Sequence, residues 1–114
     1  MTAGAWVAFV IACVFGAWLR YALTDVIGTR AINATGSLLL GVITGLVLYH
    51  GLHDTPRLVT GTGFCGAYTT FSAFSLDSVH MIERREYRAA LRYATSTCVV
   101  CVGAAAVGLA LMAV

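Results

Sequence analysis

The sequence predicts an all-α membrane protein with four transmembrane helices, and two observations support this. First, 60% of the 114 residues are hydrophobic and only 11% are charged, about half the charged fraction of a typical soluble domain. Second, the charged residues leave four charge-free stretches, residues 1–19, 31–53, 58–76 and 93–114. Each is close to the roughly 20 residues that a helix needs to cross a bilayer. We therefore expect one lipid-embedded domain, residues 1–114.

The first two spans are predicted at about Ala3–Leu23 and Ala31–Tyr49, joined by a short link through Asp25, Gly28 and Arg30. The first span lacks a positively charged start, so we interpret it as a retained helix and not as a signal peptide. In the second span, small residues favour close helix contacts.

The third span is predicted to begin with Thr55 as N-cap and Pro56 at the first helical position, and to end at about Ile82. The fourth span is predicted at about Glu86–Val114. The loops after spans one and three, taken with the span ends beside them, hold six of the seven basic residues, Arg20, Arg30, Arg84, Arg85, Arg88 and Arg92; the count is smaller if Arg20 and Arg92 lie within their helices. By the positive-inside rule these loops are cytoplasmic and both termini lie outside.

Composition also excludes several function classes. A net charge of +2 without a basic run gives no basis for nucleic-acid binding. No nucleophile–base pair or metal cluster indicates an enzyme. Cys98 and Cys101 form a C-x-x-C, but without a second pair or a nearby histidine we expect cysteines that pack as small hydrophobic side chains.

The third span has an unusual composition, with Gly61, Gly63 and Gly66 within six residues. Each glycine lowers helix stability by about 1 kcal/mol, so we expect a break near Gly66–Thr70. Irregular backbone at membrane depth is tolerated where it is buried or lines a wet cavity, and its freed carbonyl and N–H groups can bind ions. Close helix packing is the alternative explanation for the glycines.

Three groups of side chains are candidates for chemistry. Phe71 and Phe74 share a helical face between the hydroxyls of Thr70, Ser72 and Ser75, and an aromatic ring presents a positive edge that can meet an anion. The other two groups follow helical spacing, Asn33 with Ser37, Gly41 and Thr44 in span two, and Tyr93 with Thr97 and Cys101 in span four. Bonding between helices would explain Asn33 as well, and ordinary packing would explain the span-four group.

These candidates are neutral hydrogen-bond donors. A dehydrated anion needs such donors to replace its water, and uncharged donors still let it leave. A small halide gains most from them, so fluoride is a candidate for the transported ion.

The sequence resembles the CrcB/Fluc fluoride channel family in Gly16–Tyr21, Asn33–Ser37 and above all Gly63–Asp77. The resemblance implies a passive channel that exports fluoride from the bacterial cytoplasm through the inner membrane. It also implies a dual-topology dimer in the lipid bilayer, whose two subunits pack antiparallel and form two pores.

The resemblance assigns roles to residues. Asn33, Phe71, Phe74, Tyr93, Thr97 and Cys101 match pore positions, and Thr70 and Ser72 flank the phenylalanines. Arg20 matches a vestibule arginine, and the backbone carbonyls of Gly66 and Thr69 match a site for a structural sodium ion.

Two features depart from the family pattern. Cys101 stands where a hydroxyl is expected, and the arginine asymmetry does not suit equal insertion in both orientations. The partner is therefore either a second copy or an oppositely oriented homologue. A small multidrug-resistance-type exporter and a non-transporting assembly subunit are alternative functions. The exporter would need a titratable carboxylate in the membrane, which residues 1–19 and 31–53 lack.

Overall fold

A computed structural model describes residues 2–114 and shows an all-helical protein, with no strand in that range. The elements are α1 (Ala3–His50), α2 (Asp54–Arg57), a π-helix (Leu58–Cys65), α3 (Gly66–Tyr68), α4 (Phe71–Glu83) and α5 (Tyr87–Met112). Among the described residues, α1 and α5 are long and apolar enough to cross a membrane. The prediction of an all-α fold is confirmed.

Helix α1 changes direction at Gly28. A straight helix of its 48 residues would be about 72 Å long, whereas the longest dimension of the molecule is 49 Å. Gly28 has φ 83° and ψ 164°, a combination that essentially only glycine adopts. Residues 3–27 therefore form a first arm and residues 29–50 a second arm. The predicted link was too long, because this single glycine reverses the chain while Asp25 and Arg30 remain helical.

The start of the third segment also differs from the prediction. Helix α2 begins at Asp54 with His53 as N-cap, so Thr55 is not the cap and Pro56 is the third helical residue. Proline fits there because the N–H groups of the first helical turn have no acceptor within the helix. Helix α5, with Glu86 as its N-cap, begins where the fourth span was predicted to begin.

The break in the third segment lies at two threonines. Thr69 (φ −77°, ψ 156°) and Thr70 (φ −145°, ψ 111°) are extended, whereas Gly66 is helical (φ −62°, ψ −36°). The interruption therefore occupies the last two residues of the predicted range. The π-helix before it was not predicted.

Close contacts between glycines and backbone carbonyls join the second arm to α5. A Cβ atom at Gly41 would lie 2.1 Å from the carbonyl oxygen of Ala105, and one at Gly108 would lie 2.3 Å from that of Leu38. Only glycine permits this approach from both sides, which is how small residues let helices pack closely. The first arm contacts the π-helix in a similar way, since a Cβ at Gly16 would lie 2.6 Å from the Phe64 carbonyl oxygen.

Large apolar side chains remain on the outside of the molecule. On the first arm, Trp6, Val10, Phe15 and Trp18 are each more than half exposed. An apolar patch of this extent is not typical of a soluble monomer. It is the surface expected of a chain that contacts lipid or another subunit.

Candidate functional site

A groove of about 550 Å³ opens along the break. Its walls are formed by the second arm, the π-helix, the break, the start of α4 and the middle of α5. It is lined by Asn33, Gly36, Ser37, Leu40, Gly61, Thr62, Cys65, Gly66, Thr69, Thr70, Phe71, Phe74, Thr97, Cys98 and Cys101. None of these lining residues is charged.

Asn33 holds the break in place from the second arm. Its Oδ1 accepts from the backbone N–H of Thr70 at 2.7 Å, and its Nδ2 donates to the carbonyl oxygen of the same residue at 3.0 Å. The side-chain amide thus replaces the helical hydrogen bond that the Thr70 N–H loses at the break, and it adds a second bond to the Thr70 carbonyl. An amide nitrogen carries two N–H groups, so one N–H of Asn33 is not used by Thr70.

The break also frees carbonyl groups of residues 66–69 from helical donors, among them those of Gly66 and Thr69. In a continuous helix the N–H of Thr70 would donate to Gly66, but it donates to Asn33. The N–H of Ala73 would donate to Thr69, but it donates to the Thr70 hydroxyl at 3.1 Å. No other backbone N–H in residues 2–114 donates to either carbonyl. The carbonyl oxygens of Gly66 and Thr69 are therefore available for other partners.

A glycine on the second arm allows the break to come this close. A Cβ at Gly36 would lie 2.3 Å from Cγ2 of Thr69 and 3.2 Å from Cδ2 of Tyr68. Tyr68 is buried, and its hydroxyl oxygen lies 2.9 Å from Oγ1 of Thr35, within hydrogen-bonding distance. These contacts fix the position of the two extended threonines against the second arm.

Aromatic rings form one side of the groove. The ring centroids of Phe71 and Phe74 lie 5.9 Å apart with planes inclined at 43°. Phe74 also stacks on Tyr93, with centroids 5.4 Å apart. Phe71 has no such support and its side chain is 79% exposed, so in the isolated chain one of the two rings is largely uncovered.

The helix α5 residues have different surroundings. Thr97 is buried and accepts a hydrogen bond from Nε of Arg30 at 3.3 Å. The hydroxyl of Tyr93 donates to Oδ2 of Asp77 at 3.0 Å. Thr97 and Cys101 line the groove, whereas Tyr93 lies behind Phe74.

The groove brings together eight of the eleven residues to which the resemblance assigns roles: Asn33, Gly66, Thr69, Thr70, Phe71, Phe74, Thr97 and Cys101. Three others lie outside its lining. Ser72 is exposed, with its hydroxyl 3.1 Å from that of Thr70. Tyr93 bonds to Asp77. Arg20 lies on the first arm, where its Nε is buried without a hydrogen-bond partner among the described residues.

Sequence reasoning missed Gly36 and Arg30 as parts of this region. Both lie three residues from Asn33, one on each side, and residues three apart share a helical face. This spacing from Asn33 could have indicated both residues from the sequence. Thr62 and Cys65 from the π-helix were also missed, because the wider helix changes which side chains face the groove.

Comparisons with known proteins agree on one family. The family described as CrcB-like protein, Camphor Resistance (CrcB), matches residues 7–109. A fluoride-specific ion channel FluC 1 of Leifsonia xyli is 48% identical over 83 residues, which are 73% of this chain and 61% of that protein. The fluoride-specific ion channel FluC of Nitrobacter winogradskyi is 42% identical over 101 residues, covering 88% of this chain and 79% of the relative.

Proposed function

The chain belongs to the CrcB family, and from this premise we propose that it is a subunit of a passive, fluoride-selective channel that lowers fluoride toxicity by letting the ion leave the cytoplasm. The observation that carries the proposal is the groove at the break. It combines uncharged hydrogen-bond donors with two phenylalanine rings and has no charged residue in its lining.

The donors suit a small anion. An ion that leaves water loses several kcal/mol of solvation unless other groups replace it. The second N–H of Asn33, the hydroxyl of Thr97 and the positive edges of Phe71 and Phe74 offer that replacement. Because none of them carries a full charge, they bind the ion weakly enough for it to move on.

We propose that the chain crosses the membrane four times. The two arms of α1 contain 25 and 22 residues, and α5 contains 26, so each reaches the length that a span requires. The third crossing would combine the π-helix, α3, the break and α4. Its irregular backbone would be tolerated because it is packed against the second arm and lines the groove.

The functional unit in this proposal is an antiparallel dimer in the bacterial inner membrane. The 79% exposure of Phe71 supports it, because a ring that lines an ion path must be covered on its open side, and a second subunit would cover it. Six of the seven arginines lie in, or within about eight residues of, the turns at Gly28 and between α4 and α5, which favours one orientation with these turns in the cytoplasm. The partner is then a second copy or a homologue inserted in the opposite direction.

A structural sodium ion fits the break. The carbonyl oxygens of Gly66 and Thr69 have lost their helical donors, and hard cations prefer oxygen ligands. Among residues 2–114 no cluster of three His, Cys, Asp or Glu side chains could hold a metal, so the site would use backbone carbonyls. When bound, sodium would supply a positive charge that these carbonyl oxygens coordinate in place of the donors they have lost.

The test is fluoride efflux from proteoliposomes that contain this chain, measured with a fluoride electrode in sodium and in sodium-free buffer. We expect passive, electrogenic efflux that is much faster than chloride efflux. If the chain alone is silent, reconstitution with an oppositely oriented homologue should restore the flux. Vesicles that stay as tight as protein-free lipid in both cases would refute the channel.

A further inference from the structure

Arg30 lies next to the groove but has no acidic partner. Its Nε donates to Oγ1 of Thr97, which lines the groove, and its guanidinium carbon lies 5.3 Å from the ring centroid of Tyr93. The ion pairs within residues 2–114 are Arg57 with Asp54 and Arg84 with Glu86, so none of the described carboxylates forms an ion pair with Arg30.

These contacts leave most of the guanidinium free. Arginine has five N–H donors in a planar fork, and the hydrogen bond to Thr97 uses one of them. The Tyr93 ring faces the cation at a distance typical of a cation–π contact and so holds the guanidinium without using its N–H groups. The nearby Asp77 accepts the Tyr93 hydroxyl and does not pair with Arg30.

The hydrogen bond also affects Thr97. Because the Thr97 oxygen accepts from a cation, its own O–H proton must point away from Arg30. Hydrogen bonds linked in series, as donor to hydroxyl to acceptor, strengthen one another. Thr97 is 4% exposed and lines the groove, so its proton is directed by Arg30 and made a better donor.

We propose that Arg30 is the anion-capture residue at the end of the groove beside Thr97. It draws a small hard anion, fluoride in the function proposed above, toward the Thr97 hydroxyl. It also orients that hydroxyl as the first uncharged donor of the path. Arg30 thereby determines how well the protein works at low fluoride concentration, while the neutral groove determines the maximal flux.

The inference rests on the proposed function and is tested by the fluoride dependence of efflux. We compare the wild type with Arg30→Gln, Arg30→Lys and the matched control Arg92→Gln, each reconstituted alone or with the homologue that restores flux. Arg92 is exposed on α5, five residues before Thr97, and forms no hydrogen bond or ion pair among the described residues. Its removal changes the net charge equally without touching the groove.

Arg30→Gln should raise the half-saturating fluoride concentration about tenfold, the effect of losing one hydrogen bond to a charged group, and should leave the flux at saturating fluoride within about twofold. Arg30→Lys should recover part of the loss, because it keeps the charge but not the planar fork. Added potassium gluconate should slow wild-type efflux at low fluoride more than that of Arg30→Gln, since salt screens exposed charges. Arg92→Gln should behave as the wild type.

A second measurement does not depend on flux. Sodium fluoride should raise the unfolding temperature of the wild-type protein in detergent more than sodium chloride does, and Arg30→Gln should lose most of this difference. The inference would be overturned if Arg30→Gln matched the wild type both in the fluoride dependence of its flux and in its stabilisation by fluoride. That result would leave the proposed channel function intact. A wild-type protein that transports no fluoride but shows the Arg30-dependent stabilisation would refute the channel and support the binding site.

Discussion

Asn33 and Thr70 are joined by two hydrogen bonds, one to each backbone group of Thr70, although 37 residues separate them in the chain. One side-chain amide therefore stabilises the break and also presents an N–H at the groove. Structural and ion-binding roles, which the sequence left as alternatives for Asn33, are compatible in this geometry.

Replacing Asn33 by Asp should impair both stability and fluoride flux. The carboxylate can still accept from the N–H of Thr70, but it faces the Thr70 carbonyl without a donor, and an unpaired buried group costs about 1–3 kcal/mol. Its negative charge also repels an anion. We expect a lower unfolding temperature in detergent and efflux reduced more than tenfold.

The matched control is Ser37→Ala, one turn further along the second arm. Ser37 lines the groove but its side chain forms no hydrogen bond with the described residues. It should unfold as the wild type does. An Asn33→Asp protein with wild-type stability would show that the bond from Asn33 Nδ2 to the Thr70 carbonyl does not support the break.

Packing between the second arm and α5 should fail when Gly41 is replaced by Ala. The added Cβ would lie 2.1 Å from the Ala105 carbonyl oxygen, and overpacking of this kind costs about 1–3 kcal/mol. Gly103→Ala is the control, because nothing lies within 4 Å of its Cβ position and alanine favours helix by about 1 kcal/mol. Thermal unfolding followed by tryptophan fluorescence should separate the two variants, and equal unfolding temperatures would contradict the close contact.

The sequence predicted the two arms and α5 to within a few residues, because the length of an apolar stretch depends on composition alone. It also indicated an interruption near Gly66–Thr70, since glycine and threonine weaken a helix wherever they occur. It could not locate the interruption at Thr69 and Thr70, because that depends on Asn33 from a distant segment. Nor could it reveal the π-helix, because eight residues are too few for a side-chain periodicity that differs recognisably from that of an α-helix.

The candidate site was predictable to a similar degree. Phe71, Phe74, Asn33 and Thr97 were selected by residue type and spacing, and the fold places them on one groove. Arg30 was considered only for membrane orientation, because its contact with Thr97 depends on how the second arm packs on α5. Tyr93 was selected for its hydroxyl, which instead reaches Asp77.

Phe71→Ile and Phe74→Ile should each greatly reduce fluoride flux, because an aliphatic side chain has no positive ring edge to face the ion. Phe74→Ile should also lower stability by about 1 kcal/mol, since Phe74 alone stacks on Tyr93. Phe15→Ile is the control, as Phe15 packs on Trp18 and Phe64 away from the groove. Efflux assays should find Phe15→Ile active, and wild-type rates in both groove variants would remove the rings from the mechanism.

Cys101→Ser should increase fluoride flux. Cys101 lines the groove beyond Thr97, and a thiol is a weak hydrogen-bond donor whereas a hydroxyl is a strong one. The anion therefore meets a poor donor at this position, and serine should raise efflux at saturating fluoride by about two- to tenfold.

Cys13→Ser provides the control, because Cys13 lies on the first arm and does not contribute to the groove. Parallel initial-rate measurements on vesicles with matched protein content distinguish the two. If Cys101→Ser and Cys13→Ser both equal the wild type, the ion does not use this side chain and its path leaves the groove before Cys101.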